Sequence, residues 1–270
     1  MDGRAVLVVG GSGSTGRRVC AELTGAGHAV RSVSRSARVR FDWADPSTWD
    51  QAVDGARAAY VMAPDGVGVD PAFLERAVEL GVERVVLLSS DAVEEMGDER
   101  LLAAEEAVRS LVPEWTVLRP DWFDQNFDEG VLVEQVRAGA VVVPVEGVRQ
   151  AFVHAGDIAA VAAAALTREG LQGRTLRVTG PRALSFAEAV ALVAEQAGFA
   201  VRFEGGAKDF VRVLTQAGVQ GGEIDRMLAS FAALVERGDA VPSGVVEQVT
   251  GRAAVDFADF VVEAAPAWRV

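Results

Sequence analysis

Short apolar runs alternate with helical stretches through the first half of the chain. "AVLVV" (5–9), "AVRSVS" (29–34), "AAYVMA" (58–63), "RVVLLS" (84–89) and "WTVLR" (115–119) are nearly continuous in hydrophobicity, as parallel strands buried on both faces should be. Helices fill the intervals. Asp45-Pro46 and Asp70-Pro71 each put a capping residue before a proline at the first helical position. This βαβαβ rhythm predicts an α/β fold built on a Rossmann-like, doubly wound parallel sheet. Past residue 130 the pattern loosens. "VVV" (141–143) and "QAFV" (150–153) read as short strands, "GDIAAVAAAALTREG" as a helix ending at Gly170, and "RTLRVTG" as another strand. Ser185 and Glu188 form a capping-box pair opening a helix that stops at Gly198, and helices follow over 221–237 and 256–265. The expected division is an NAD(P)-binding Rossmann domain over 1–128 and a smaller α/β substrate lobe over 129–270, with 150–180 returning to the Rossmann sheet.

Composition narrows the partners. The chain has 270 residues, 50% of them hydrophobic, enough for a large core. Its formal charge of -13 argues against nucleic acid or an anionic membrane, which both require basic patches. No run approaches the roughly 18–20 apolar residues of a membrane span. The start "MDGRAVLVVGG" enters a strand without a basic n-region, so a cytoplasmic location is expected. A single cysteine, Cys20, and two histidines leave no internal disulfide and no metal-ligand cluster. The expected partner is a small molecule, with the protein a monomer or homodimer.

"VLVVGGSGSTGRRV" carries G-x-x-G-x-x-G at Gly10, Gly13 and Gly16 between an aliphatic run and a helix. Glycine permits the tight turn and a close approach of backbone to a pyrophosphate, and the helix start at Ser14 and Thr15 presents N–H groups to the anion. The next strand ends in Ser34-Arg35 where an NAD-selective site would carry a carboxylate. A hydroxyl and a guanidinium attract a 2′-phosphate, so NADP(H) is expected in preference to NAD(H). In "RFDWADPSTW", Asp42 at a strand end is placed to accept from an adenine amino group, with Trp43 closing over the base. Trp43 also suits packing of helix on sheet, the reading preferred for Trp49.

Typical short-chain dehydrogenases protonate the substrate oxygen with a Tyr-x-x-x-Lys motif. Here Tyr60 is the one tyrosine, with Pro64 at i+4, and Lys208 the one lysine, so the motif cannot be built. Ser89 and Ser90 end a strand where they could touch substrate or nicotinamide, or satisfy strand-end backbone groups. Candidate acids are Asp91, Glu105, Asp121 and His154. A reductase without a phenolic acid can also use an iminium, which needs no proton, or a conjugated acceptor such as a quinone or enone. In "LRPDWFDQNFDEG" (118–130), Trp122 and Phe123 sit among Asp121, Asp124, Asp128 and Glu129. Ligands bind beyond the carboxyl ends of such strands, which places Asp121 to Asn126 beside the nicotinamide. Asp121 and Asp124 then supply charge for a cationic polycyclic substrate, with Asp128 and Glu129 solvated.

The glycine-rich start, "GVERVVLLSS", "WTVLRPDWFDQNF" and "AFVHAGDIAAVAAAAL" resemble the NmrA-like, atypical short-chain dehydrogenase/reductase family. "RFDWADPSTW", "LRPDWFDQNF", "VTGPRALSFAEAVALV" and the closing "VTGRAAVDFADFV" are most similar to its festuclavine synthase and agroclavine dehydrogenase type reductases of ergot alkaloid pathways. The likeness runs from residue 5 to 268. It implies a Rossmann domain binding NADPH, and reduction of a C=N or iminium bond in an alkaloid-like molecule of specialised metabolism. It assigns Gly10, Gly13 and Gly16 to the pyrophosphate, Arg35 to the 2′-phosphate, and Asp42 and Trp43 to adenine. Met62, Ala63 and Pro64 would line the cofactor, and Trp122, Phe123 and Asn126 the substrate side. The chain departs from the family pattern at Asp121, where threonine or glycine is usual, and at Asp124, usually apolar.

Ser89 and Asp121 are therefore the candidate catalytic residues, with Asp91 on the substrate side. Rival readings are a non-catalytic NADP(H) sensor, a quinone reductase, or a cyclase or isomerase using the carboxylates as acid and base. Asp157 is expected to stabilise a helix N-terminus, His154 to cap or pack, and Cys20 to lie in the core. Met227, Leu228, Phe231 and Leu234 form a helical stripe that suits lobe packing or a dimer seam.

Overall fold

The protein is described by a computed structural model covering residues 5–269. Its main sheet has six parallel strands: β1 (Ala5–Val9), β2 (Val30–Val33), β3 (Ala56–Val61), β4 (Arg84–Leu88), β5 (Glu114–Pro120) and, from the second half of the chain, β8 (Arg174–Val178). Their order is β2-β1-β3-β4-β5-β8, so successive strands are added on one side of β1 and then on the other. Helix α1 (Ser14–Gly25) and α6 (Ala155–Thr167) cover one face; α2 (Trp49–Val53), α3 (Pro71–Glu79) and α4 (Glu99–Leu111) cover the other. The central strands are buried on both sides, which explains their unbroken apolar character. α6 is rich in alanine, seven of its thirteen residues, because it packs against both α1 and the sheet, where larger side chains would not fit throughout.

Both Asp-Pro signals begin as expected. Asp70 accepts from the Ala72 amide at the start of α3, and Asp45 accepts from Ser47 in a 3-10 turn leading into α2. The expected strand end at Asp42 does not form: a single bridge, Ser34 to Arg40, replaces it, and Asp42 caps a turn instead.

The remaining elements build the lobe beside the carboxyl ends of β4 and β5. These are α5 (Val133–Arg137), β6 (Ala140–Val142), β7 (Arg149–Gln150), β9 (Leu184–Ser185), α7 (Phe186–Ala197), β10 (Arg202–Glu204), α8 (Ala207–Gln216), α9 (Gly221–Arg237) and α11 (Phe257–Ala264), whereas α10 (Val245–Thr250) packs on α6 and β8. β7 pairs antiparallel with β9, and β6 pairs parallel with β10. Six of the lobe's rings (Phe127, Phe152, Phe186, Phe257, Phe260 and Trp268) form its core. The capping box at Ser185 forms with both hydrogen bonds, and α7 ends at Gly198 in the left-handed region (φ +78°). Among the described residues no helix is long and apolar enough to cross a membrane.

Candidate active site

The glycine loop is shaped by contacts that no side chain would allow. A Cβ on Gly16 would lie 2.1 Å from the Gly10 carbonyl oxygen and 2.9 Å from Gly11 Cα, and Gly10 itself has φ +71°. The loop folds back on itself and opens α1 with Gly13 as N-cap, leaving the first N–H groups without a side-chain cap. A cavity of about 410 Å³ lies against it, lined by Gly10, Gly13, Ser34, Arg35, Asp42 and Trp43, with Met62 and Pro64 closing the side. The buried Ser34 Oγ has no hydrogen-bond partner. An unsatisfied hydroxyl beside a free guanidinium is what a ribose 2′-phosphate would complete, so these residues fit NADP(H). Asp42 accepts from the Ala44 amide and pairs with Arg40 at 3.1 Å, while Trp43 packs edge-on against Phe41 and Phe73, 4.9 and 5.2 Å between centroids. Trp43 thus both packs and lines the cavity. Trp49 is buried and donates its indole N–H to the Asp42 carbonyl, a packing role.

A second cavity, about 630 Å³, begins at Ser14, Thr15, Met62 and Ala63 and extends across the ends of β4 and β5 to α9. Met62 lines both cavities, so the two form one groove over the strand ends. Tyr60 is fully buried and donates to Thr15 Oγ1. Burial pushes its phenol further up, so it remains a neutral core hydroxyl. Ser89 Oγ donates to Glu105, which also accepts from Arg109 and Arg119. Burial opposes ionisation of Glu105, but these partners outweigh it and hold the carboxyl below its ordinary range. Glu105 is therefore a fixed anion under the sheet end and has no proton to give.

Asp91 is bound by Arg177 through both carboxylate oxygens, at 2.9 and 3.0 Å, and by Arg237 of α9 at 2.6 Å. The two guanidiniums overcome its burial and keep it ionised. Asp121 is different. Its oxygens accept the Trp122 amide (2.7 Å) and the Ala151 amide (2.9 Å) with no cation in hydrogen-bond contact. Burial, reinforced by the charge of Asp91, raises its pKa despite those amides. Trp122 stands edge-on to Phe186 (4.9 Å) and near-parallel to Phe231 of α9 (22°, 6.3 Å), forming a cavity wall with Phe123 and Asn126 alongside.

Residues 6–112 match the NAD dependent epimerase/dehydratase family model. Uncharacterized oxidoreductase YesF of Bacillus subtilis is 31% identical, covering 97% of this chain and 96% of its own. A (4-alkanoyl-5-oxo-2,5-dihydrofuran-3-yl)methyl phosphate reductase of Streptomyces griseus is also 31% identical, covering 97% and 99%. Agroclavine dehydrogenase of Claviceps fusiformis is 26% identical over 97% and 98%. The chain belongs to the NmrA-like atypical short-chain dehydrogenase/reductase family. These relatives are named as an oxidoreductase, a reductase and a dehydrogenase, and this chain is likewise an NAD(P)H-dependent oxidoreductase. Among solved structures, the Citrobacter sp. triphenylmethane reductase complexed with NADP(H) shares the fold, with TM-score 0.79, 20% identity, and 97% and 99% coverage.

Within this NmrA-like frame the expected residues divide. Gly10, Gly13, Ser34, Arg35, Asp42, Trp43, Met62 and Pro64 line the first cavity; Ser14, Thr15, Met62, Ala63, Ser89, Asp91, Asp121, Trp122, Phe123 and Asn126 line the second. Gly16 shapes the loop from beneath. Asp124 is a correction. The 3-10 turn at 124–126 and the bond from its amide to the Val153 carbonyl turn its side chain inward, away from the cavity, where it is fully buried. Asp128 and Glu129 are not simply solvated either. Burial lifts Asp128 to about 6, and Glu129 accepts from Ser14, Arg17 and Arg18 at the start of α1. His154 caps α6, its Nδ1 accepting from the Gly156 amide, while Asp157 in the first turn accepts from the Val255 amide. Cys20 is half-buried against the core between α1 and the sheet.

The sequence reading missed Gln150, Arg237, Ser230 and Met96, which also line the second cavity. A signal existed for one edge only. The stripe on α9 supplies Phe231 against Trp122 and Leu234 in the cavity wall, so its apolar face closes a site as well as packing a lobe.

Proposed function

We propose that the protein is an NADPH-dependent reductase of a flat, conjugated small-molecule acceptor, of the enone or quinone kind in preference to an iminium. The observation that carries this is the fate of the carboxylates at the larger cavity. Asp91 is matched by Arg177 and Arg237, Asp98 by Arg100, and Asp121 is held by backbone amides with its pKa raised; Asp65, exposed beside Ala63 at the cofactor end, is the lining carboxylate that carries no bonded cation. An iminium needs an uncommitted anion, whereas a carbonyl acceptor needs a hydrogen-bond donor and a proton source. The name of the Streptomyces relative likewise describes an oxo-dihydrofuran substrate.

When bound, NADPH supplies a hydride; the rest falls to this chain. Trp122 and Phe123 hold the acceptor ring against the groove. As hydride adds to the conjugated carbon, the π-electron pair shifts to the carbonyl oxygen. The Asp121 carboxyl, its pKa raised by burial and its orientation fixed by two amides, is the group placed to deliver the proton. Ser89 commits its proton to Glu105 and so serves as an acceptor, suited to an amide N–H of the cofactor. Purified protein with NADPH and a panel of flat enones, quinones and iminium salts tests the reading by loss of nicotinamide absorbance. Enones or quinones should turn over, and Asp121→Asn should slow them and remove the fall in rate at high pH. Cofactor binding without turnover of any acceptor would replace the enzyme by a sensor.

A further inference from the structure

Helices α8 and α9 bury little of themselves. Phe210 is the buried residue of α8, and Ile224 and Leu234 are those of α9, whereas α7, shorter than α9, buries five. Phe210 and Phe231 meet edge-on at 5.4 Å and join the two helices into one hairpin. The chain is pinned on both sides of it. Ahead of α8, β10 pairs with β6; beyond α9, Asp239 accepts from the Arg149 amide and the Ala240 amide donates to the Arg149 carbonyl. Glycines stand between these pins and the hairpin. A Cβ on Gly205 would come within 2.8 Å of Glu146 and Phe203, so the chain leaves β10 where only glycine fits. Gly238 has φ +84° and ψ -159°, a region open essentially to glycine alone. Fixed ends joined to a hairpin through Gly205-Gly206 and Gly238 have the geometry of a hinge, because glycine absorbs large changes in φ and ψ.

The hairpin meets the loop after β4 and the aromatic wall through a small set of contacts. Ser230 Oγ donates to the Met96 carbonyl at 2.8 Å, Arg237 donates to Asp91 at 2.6 Å with Glu95 3.8 Å from the same guanidinium, and Phe231 lies over Trp122. Ser230, Leu234 and Arg237 also line the larger cavity, so these contacts close its wall. We propose that α8 and α9 form a hinged lid over that cavity, latched by Arg237 on Asp91, which swings out to admit the acceptor and back to exclude water. The inference rests on the functional reading above in taking this cavity as the acceptor site. Asp91 suits the task. Arg177 of β8 holds both of its oxygens independently of α9, so release of Arg237 leaves no bare buried charge. Arg237 enters water as the lid opens. Opening therefore costs one charge-assisted bond, one neutral bond and the cover over Phe231 and Leu234, a local event well short of unfolding. Closing returns Phe231 to Trp122 and dries the groove in which hydride and proton are transferred.

Thiol trapping tests the lid without any acceptor. Cys20→Ser removes the one native cysteine; in that background Leu234→Cys puts a thiol under the lid and Val193→Cys puts one in the lobe core on α7. Leu234 is 2% exposed and Val193 0%, so a bulky maleimide reaches either position only in an opened state. With NADPH present, position 234 should label about a hundredfold faster than position 193. Its rate should stay nearly flat in low urea, because a swinging lid exposes little surface, while labelling at 193 climbs steeply with global unfolding. Arg237→Gln should speed labelling at 234 about tenfold, the loss of a charge-assisted bond, and Ser230→Ala about two- to fivefold. Ser230→Ala decides alone if Arg237→Gln does not fold. Labelling at 234 that matches 193 in rate and urea slope, or that ignores the latch substitutions, overturns the lid and leaves the reductase reading intact. Latch-dependent labelling in a protein that turns over no acceptor upholds the lid and overturns that reading instead.

Discussion

Asp124→Asn should stabilise the protein, and increasingly so as the pH rises. Asp124 has both carboxyl oxygens buried without a partner, and its charged neighbours are the acids Asp157, Asp256 and Asp128. Burial and that repulsion raise its pKa well above the ordinary 3.8. A raised carboxyl pKa means that the unfolded chain ionises first. Below about pH 4 both states are protonated and the residue contributes no pH dependence. Above it the folded state loses about 1.4 kcal/mol of stability per pH unit until its own pKa is passed. Asparagine has nearly the same shape, suffers a similar cost of about 1–3 kcal/mol for unpaired polar atoms, and cannot ionise. Urea unfolding of both proteins between about pH 4 and pH 8 isolates the difference, since the shifts of Asp121, Asp128 and Asp157 are common to the two. The variants should agree within about 0.5 kcal/mol at the acid end and diverge at up to the stated slope before levelling. Parallel curves, or a variant that is weaker throughout, would refute the burial of an uncompensated carboxyl.

Two further outcomes follow from the cofactor groove. Arg35→Ala should weaken NADPH binding about ten- to a hundredfold, the worth of a charge-assisted hydrogen bond, while NADH binding stays unchanged in calorimetry. Glu129→Gln should tighten NADP(H) binding about two- to fivefold, because a carboxylate bonded to Ser14, Arg17 and Arg18 occupies the helix end that the pyrophosphate needs. The gain should fade in high salt, and weaker binding would instead make Glu129 a scaffold for the loop.

The cofactor side of the groove was legible because its requirements are local. A turn that cannot hold a Cβ at Gly16, a helix start, and a strand ending in Ser34-Arg35 lie within one βαβ unit, so spacing alone exposes them. The substrate side was legible in part. Trp122 and Phe123 declare themselves as aromatics past a strand end, yet spacing cannot say which of Asp121 and Asp124 faces the cavity. That depends on a 3-10 turn whose direction is set by a backbone bond from Asp124 to Val153, 29 residues further along the chain.

The sequence by itself determined the parallel sheet and the glycine cradle, since each follows from residue type and short-range period. Only the tertiary structure decided which charges are free. Arg177 and Arg237 reach Asp91 from 86 and 146 residues away, and Ala151 reaches Asp121 from 30. Those contacts leave Asp121 without a hydrogen-bonded cation, and the packing around β7 leaves the Gln150 Nε2 without a partner. Whether a polar group is satisfied depends on everything that surrounds it, and no local pattern encodes that.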